Sequence, residues 1–204
     1  ESRARVHNPA RVLSTNHFCY PGYWIWFIPL GRGVMSGGWV GEHKIFNDAM
    51  RKPEGFLEFL KQHRAPWDLL KDRAQLIDVL AYKQLAYGTR QFFGGADRWF
   101  MTGEAAAFSD PFYSPGSDFI AIGNTYITEL IARDRKGAPL AAHTQVYEQI
   151  YRSFYDSTMT LYVDQYKLFG DPEVLPVKVM WDYTYYWSVL APLFFGNRLT
   201  DLAM

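Results

Sequence analysis

Tyr23-Trp24-Ile25-Trp26-Phe27-Ile28-Pro29-Leu30 is followed by Gly31-Arg32-Gly33 and then by Val34-Met35-Ser36-Gly37-Gly38-Trp39-Val40-Gly41. Two β-rich runs joined by three residues with glycine at both ends predict a β-hairpin, because glycine supplies positive φ without steric cost. Side chains alternate across a strand, so Trp24, Trp26 and Ile28 share one face and Ile25 and Phe27 the other. Two indoles on one face are either a flat aromatic wall or simply the large residues of a core strand. Gly37, Gly38 and Gly41 leave the second strand nearly bare on one side, a mark of close approach by another backbone or by a ligand.

Upstream, Val12–His17 reads as a short strand. Downstream, Phe56, Leu57, Phe59 and Leu60 lie on one face of a helix that ends before Pro66, and Trp67, Leu69 and Leu70 begin another turn. Leu76–Leu80 and Ala86–Phe93 read as extended, Asp97-Arg98 as a turn, and Trp99–Thr102 as a short buried strand that ends at Gly103. Phe119, Ile120, Ile122, Tyr126, Ile127, Leu130 and Ile131 recur at helical spacing; Ser117 or Asp118 can cap that helix, which runs to about Arg133, and Gly137 can end it. A long helix is predicted from His143 to Leu168, and Val174–Leu202 reads as a packed helical tail. With no repeat, low-complexity stretch or linker, residues 1–204 read as a single α/β unit, more strictly an α+β fragment. It would comprise an antiparallel sheet, a strand–helix unit and a helical C-terminal cap.

The composition narrows the function classes. Lys plus Arg equals Asp plus Glu at 21 each, so nothing electrostatic points to nucleic acid or an acidic membrane. No apolar run reaches the roughly 20 residues of a membrane span. The single cysteine, Cys19, allows no internal disulfide and fits a reducing, cytoplasmic compartment. The histidines, His7, His17, His43, His63 and His143, form no HExxH or Cys/His cluster, so no metal site is expected. Glu1-Ser2-Arg3-Ala4-Arg5 has no initiator methionine and no targeting signal, and reads as the continuation of a longer chain.

A second stretch carries chemistry: Gly103-Glu104-Ala105-Ala106-Ala107-Phe108-Ser109-Asp110-Pro111-Phe112-Tyr113-Ser114-Pro115-Gly116-Ser117. Small residues, then a Pro/Gly-rich loop, then a helix start would let a ligand lie against backbone N–H groups and the positive end of the helix. An acidic residue there suits the hydroxyls of a sugar or ribityl chain. Many ordinary strand–loop–helix junctions look the same.

At these two stretches the chain resembles the flavin-dependent halogenases, within the wider family of halogenase-like FAD-dependent oxidoreductases. Trp24–Pro29 reproduces the WxWxIP motif, and Phe108–Gly116 fits FxxPxxSxG at every fixed position. Gly103-Glu104-Ala105 resembles the flavin-contacting GDA segment of the flavin-monooxygenase fold. The resemblance implies FAD, delivered reduced by a flavin reductase, and oxygen chemistry through a flavin hydroperoxide. Chloride or bromide would be converted to hypohalous acid, which reaches an electron-rich aromatic or carrier-protein-bound substrate through a tunnel. It implies Trp24 and Trp26 as tunnel wall, Ser114 in the loop beside the reacting centre, and Gly103, Glu104, Ala105, Pro111, Gly116 and Ser117 at the flavin. It also implies secondary metabolism.

The departures shape the expectation. The GxGxxG that grips the dinucleotide is missing, and Gly31-Arg32-Gly33 does not fit it. The family carries that motif and its catalytic lysine upstream, so the chain reads as a C-terminal portion whose partner is an N-terminal half, and Lys44 and Lys52 are not candidates. Tyr113 stands where tryptophan-specific members carry a glutamate, which argues against free tryptophan as substrate. Pro115 has no N–H, which removes one donor from the loop where the family holds its halide. Two rivals remain: a flavin monooxygenase or reductase of the same fold without halide chemistry, and an aromatic-rich binding module without redox chemistry.

Overall fold

In the computed structural model, which describes residues 11–203, β1 (Asn16–Tyr20), β2 (Tyr23–Gly31) and β3 (Val34–Gly41) form an antiparallel sheet in that order. The predicted hairpin is present: Gly31, Arg32 and Gly33 have φ of 87, 52 and 76°, so the tight turn consists of left-handed residues. The β2–β3 register slips between Pro29 and Gly31. Pro29 has no N–H to give a ladder, which places the irregularity there. The strand expected at Val12–His17 starts later. Arg11–Leu13 is a 3-10 turn, Val12 and Leu13 are exposed, and pairing from Asn16↔Phe27 to Tyr20↔Tyr23 sets where β1 begins. The opening residues read as a continuation, and His7, lie outside the described residues.

Although the sequence shows no linker, the chain divides into two compact units. The first ends at Gln84 and takes back Asp164–Leu175. Its core is the Ile25/Phe27 face of β2 packed with Phe59 and Leu60 of α1 (Pro53–Lys61). As read, that helix ends before Pro66, at Lys61; Pro66 itself sits in the first turn of α2 (Arg64–Leu70), where a missing N–H costs nothing. Buried His63 joins the layers: its Nδ1–H donates to the Phe59 carbonyl at 2.8 Å, and the Tyr23 hydroxyl donates to Nε2 at 2.7 Å. The returning segment docks at the β1–β2 turn, where the Gly22 N–H donates to the Tyr166 carbonyl at 2.9 Å.

The second unit holds β4 (Phe93–Gly94), β5 (Trp99–Phe100), α3 (Gly116–Arg135) and α4 (Ala141–Met159). Most of α5 (Val174–Tyr185) and all of α6 (Ala191–Phe195) complete it. Its core is aromatic: Tyr126 of α3 stacks on Tyr147 of α4 at 4.6 Å, and the Tyr151 hydroxyl donates to the Phe119 carbonyl. Glu148 accepts the N–H groups of both Phe92 and Phe93, which ties the small sheet to α4.

Three expected elements differ. Leu76–Leu80 joins no strand, and Ile77 and Leu80 are exposed. Tyr87 makes only an isolated bridge to Phe108. The helix expected to reach Leu168 stops at Met159, before a left-handed Asp164 and a 3-10 turn at Tyr166–Leu168. The tail is helical, but a π turn at Tyr186–Leu190 separates α5 from α6. Pro192 cannot donate to the Ser188 carbonyl, and this missing bond widens the turn before it.

The β2–α1 core predicts a severe cavity effect. Ile25 is fully buried, so Ile25→Ala should cost about 2–5 kcal/mol in urea denaturation of the purified protein. A cost under about 1 kcal/mol would mean that this face is not the core of the first unit.

Candidate functional site

In the first unit, Trp24 and Trp26 do share a face of β2, opposite the Ile25/Phe27 core. Their rings lie 5.4 Å apart and tilted by 49°. Trp24 is buried, with its Nε1–H donating to the Tyr166 hydroxyl at 3.0 Å and His17 edge-on at 4.9 Å. Trp26 is half-buried, its Nε1–H reaching Ser36 Oγ at 3.4 Å. Gly38 pairs opposite Trp26, and a Cβ there would stand 2.3 Å from the indole. The bare side of β3 therefore makes room for the sheet's own rings: Gly37 lies against Phe27, and Gly41 against Tyr23 and Trp39. That close approach is explained without a ligand. Burial raises the Cys19 thiol to about 11, which keeps it from the nucleophilic thiolate form near neutral pH, and lowers His17 below its ordinary value. Among the described residues no group of three or more His, Cys, Asp or Glu side chains could hold a metal ion, and no helix is long and apolar enough to cross a membrane.

In the second unit, the expected strand end at Gly103 is a 3-10 turn, Gly103–Ala105, because β5 stops at Phe100. Gly103 has φ 54°, and a Cβ on it would meet Ile120 of α3 at 2.5 Å. Glycine here lets the turn and α3 touch. Glu104 is exposed; its carbonyl accepts from the Tyr87 hydroxyl at 2.6 Å, and its Oε1 lies 4.0 Å from where a Gly116 Cβ would stand. A carboxylate thus sits beside the positive end of α3, an arrangement the helix dipole favours. Ala105 is exposed beside it, while Ala106 and Ala107 are buried.

The helix start differs from expectation. Pro115, not Ser117 or Asp118, is the N-cap residue of α3, with no side-chain cap, and Phe119 N–H donates to the Pro115 carbonyl at 3.0 Å. Proline's fixed φ already suits a helix start. Gly116 is the first helical residue, without positive φ, and has room for a methyl group. The left-handed residues are instead Tyr113 and Ser114, with φ 70 and 56°. Asp118 accepts from the Tyr186 hydroxyl at 3.1 Å and lines a cavity of about 80 Å³ with Ala121, Ile122, Leu190 and Phe194. Burial raises the Asp118 carboxyl above its ordinary value.

The loop is held by residues that motif reading missed. The Tyr113 hydroxyl donates to Asp182 Oδ2 at 2.9 Å, Asp182 is ion-paired with Lys178, and the Tyr162 hydroxyl donates to the Phe112 carbonyl at 2.7 Å. One signal was available: Lys178 and Asp182, spaced i,i+4, are the only charges between Val174 and Asn197 in an apolar, aromatic stretch. The Tyr113 phenol is consequently committed to the protein rather than offered to a substrate.

These residues offer a polar edge that could take a polyol beside an anionic group. Exposed Glu104, Ser114 and Ser117 and the first amides of α3 lie within one short stretch of the second unit. A carboxylate and hydroxyls suit a polyol, and helix N–H groups suit a phosphate. The grip on the rest of a dinucleotide has no counterpart in these residues, since the sequence contains no GxGxxG.

No protein-family model matches the chain. The chain is similar to a flavin-dependent halogenase. It is 30% identical to the flavin-dependent halogenase chlA of Dictyostelium discoideum over 192 residues, which is 91% of this chain. It spans 32% of that relative's length.

Three substitutions test the geometry. Gly38→Ala should destabilise by about 1–3 kcal/mol through overpacking against Trp26, whereas Gly116→Ala should leave stability unchanged or raise it by up to about 1 kcal/mol. Denaturant midpoints separate the two. Asp118→Asn should raise Tm at neutral pH, because a carboxyl whose folded value is raised favours the folded state only while it is protonated. That advantage should fade as the pH falls below the ordinary value of 3.8, where wild-type Asp118 is protonated in both states.

Proposed function

We propose that the chain is the substrate-side, C-terminal portion of an FAD-dependent oxidoreductase that halogenates an electron-rich aromatic or a carrier-bound substrate. One observation carries this reading: both halogenase-type motifs occur, in order, in a chain 30% identical along 91% of its length to a flavin-dependent halogenase. Bound reduced flavin would supply the electrons and the oxygen activation. In this reading the partners are a flavin reductase, an N-terminal part bearing the GxGxxG grip, and the small-molecule or carrier-linked substrate, in a cytoplasmic secondary-metabolic setting.

The chain's own residues then divide the work. Glu104 accepts hydrogen bonds from ribityl hydroxyls, with Gly103 and Ala105 setting its turn. Pro111, Ser114 and Gly116 shape the loop at the ring, and Ser117 with the first amides of α3 faces anionic charge. Trp24 and Trp26 wall the substrate path and exclude water from it.

A second reading, flavin oxidation without halide, is favoured by Pro115. It follows Ser114 directly, and its missing N–H leaves Gly116 as the first donor of the helix start. A hydrogen bond to an ion is worth about 1.5–3 kcal/mol, so losing one weakens halide binding roughly tenfold to a hundredfold unless Gly116 and Ser117 replace the pair.

The test uses the full-length protein with FAD, a flavin reductase, oxygen and a phenolic or carrier-bound aromatic substrate, with and without bromide. Brominated product formed only with bromide is the expected result. Hydroxylated product at equal rates in both supports the second reading. A colourless protein that does not take up FAD would remove both and leave an aromatic-rich binding module. The isolated 204-residue chain should bind FAD more weakly than micromolar, because the adenine and pyrophosphate grip is not in it; sub-micromolar binding in a titration would show the site to be complete.

A further inference from the structure

Tyr113 and Ser114 are consecutive non-glycine residues with left-handed backbone, φ 70 and 56°. Crowding of Cβ against the carbonyl oxygen disfavours each, and such residues persist only where their surroundings over-determine them. The surroundings here are specific. Asp182, 6% exposed, accepts from the Tyr113 hydroxyl and is ion-paired one helical turn from Lys178 on α5. The Lys178 ammonium lies 6.0 Å over the Tyr113 ring, and Tyr183 meets that ring edge-on at 5.7 Å. On the other side, Phe112 is fixed at both polar atoms: its N–H donates to Asp110 Oδ1 at 2.8 Å, and its carbonyl accepts from Tyr162. Beyond this clamp the chain passes directly to exposed Ser114 and the first amides of α3.

A buried ion pair contributes little net stability, because desolvation offsets the attraction. What Lys178 and Asp182 supply is direction: an acceptor fixed at one point on α5, to which the phenol must reach. We propose that Tyr113, Asp182 and Lys178 form a positioning latch. It holds the loop in its left-handed conformation and so aims Ser114 and the Gly116 and Ser117 amides at the flavin. The aim, though not the latch, rests on the flavin reading above.

The test uses the full-length protein and three variants. Lys178→Met/Asp182→Asn removes both charges together, so neither is left buried alone. Tyr113→Ala and Tyr113→Gly both remove the phenol, but only glycine adopts positive φ freely. Amide hydrogen exchange at residues 112–117 without flavin should quicken about tenfold in the pair variant while α4 stays protected. FAD affinity, read by fluorescence quenching, should fall about tenfold in the pair variant, and Tyr113→Gly should bind FAD about tenfold more tightly than Tyr113→Ala. Unchanged loop exchange overturns the latch. Faster exchange with unchanged FAD affinity, or equal affinities for the alanine and glycine variants, overturns its positioning role. If the wild-type protein takes up no FAD, the functional reading fails, and exchange alone decides the latch. Should the pair variant not fold, Tyr113→Phe, which removes only the hydroxyl, is read in the same way.

Discussion

Flat rings need bare backbone beside them, and much of this chain is organised by that constraint. Aromatic residues make up 18% of it. In the first unit the Trp26 indole lies where a Cβ on Gly38 would be; in the second, the Trp99 indole lies 2.2 Å from where a Cβ on Gly94 would be. Glycine in a strand gives up backbone entropy and side-chain packing. Here the loss is offset by rings that spread over the vacated strand and bury large areas. The same economy lets Tyr126, Tyr147 and Tyr151 fill the centre of the second unit, where aliphatic side chains would otherwise be expected.

The parts of the fold that were legible in the sequence are those decided locally. The β2–β3 hairpin follows from period-two patterning and two turn glycines, and Gly137, left-handed at φ 70°, ends α3 as read. What was not legible depends on distant partners. Nothing near Tyr113 announces positive φ; it is held by residues at 162, 178 and 182, 49 or more positions away. Gly116, by contrast, has no positive φ and is an ordinary first helical residue. Capping preference pointed to Ser117 or Asp118, but Pro115, already set to a helical φ, starts the helix first. For α4, apolar spacing continued past Met159 although the backbone did not.

The candidate site was legible to a similar degree. Its residue types, a carboxylate, two hydroxyls and a helix start, were visible in the run from Gly103 to Ser117. Their support was not: Glu104 gains its place from a 3-10 turn pressed on Ile120, and the loop from a charge pair in a stretch that reads as plain apolar helix. Polar groups that orient a site often lie far from it in sequence, because the elements that carry them are recruited by packing.

Lys178, Asp182, Tyr186, Leu190 and Phe194 recur at every fourth residue through α5, the π turn and α6. The first two engage the loop at Tyr113, Tyr186 engages Asp118, and the last two line the cavity beside it. At 3.6 residues per turn a fourfold stripe drifts by about 40° at each step, so four steps would carry Phe194 most of the way to the opposite side. The wider turn at Tyr186–Leu190 rotates less per residue and takes up part of that drift. It acts as a phase corrector: a single interruption in hydrogen bonding keeps one stripe facing α3 and its loop from end to end, so the polar half of the stripe and its apolar half serve neighbouring parts of one surface.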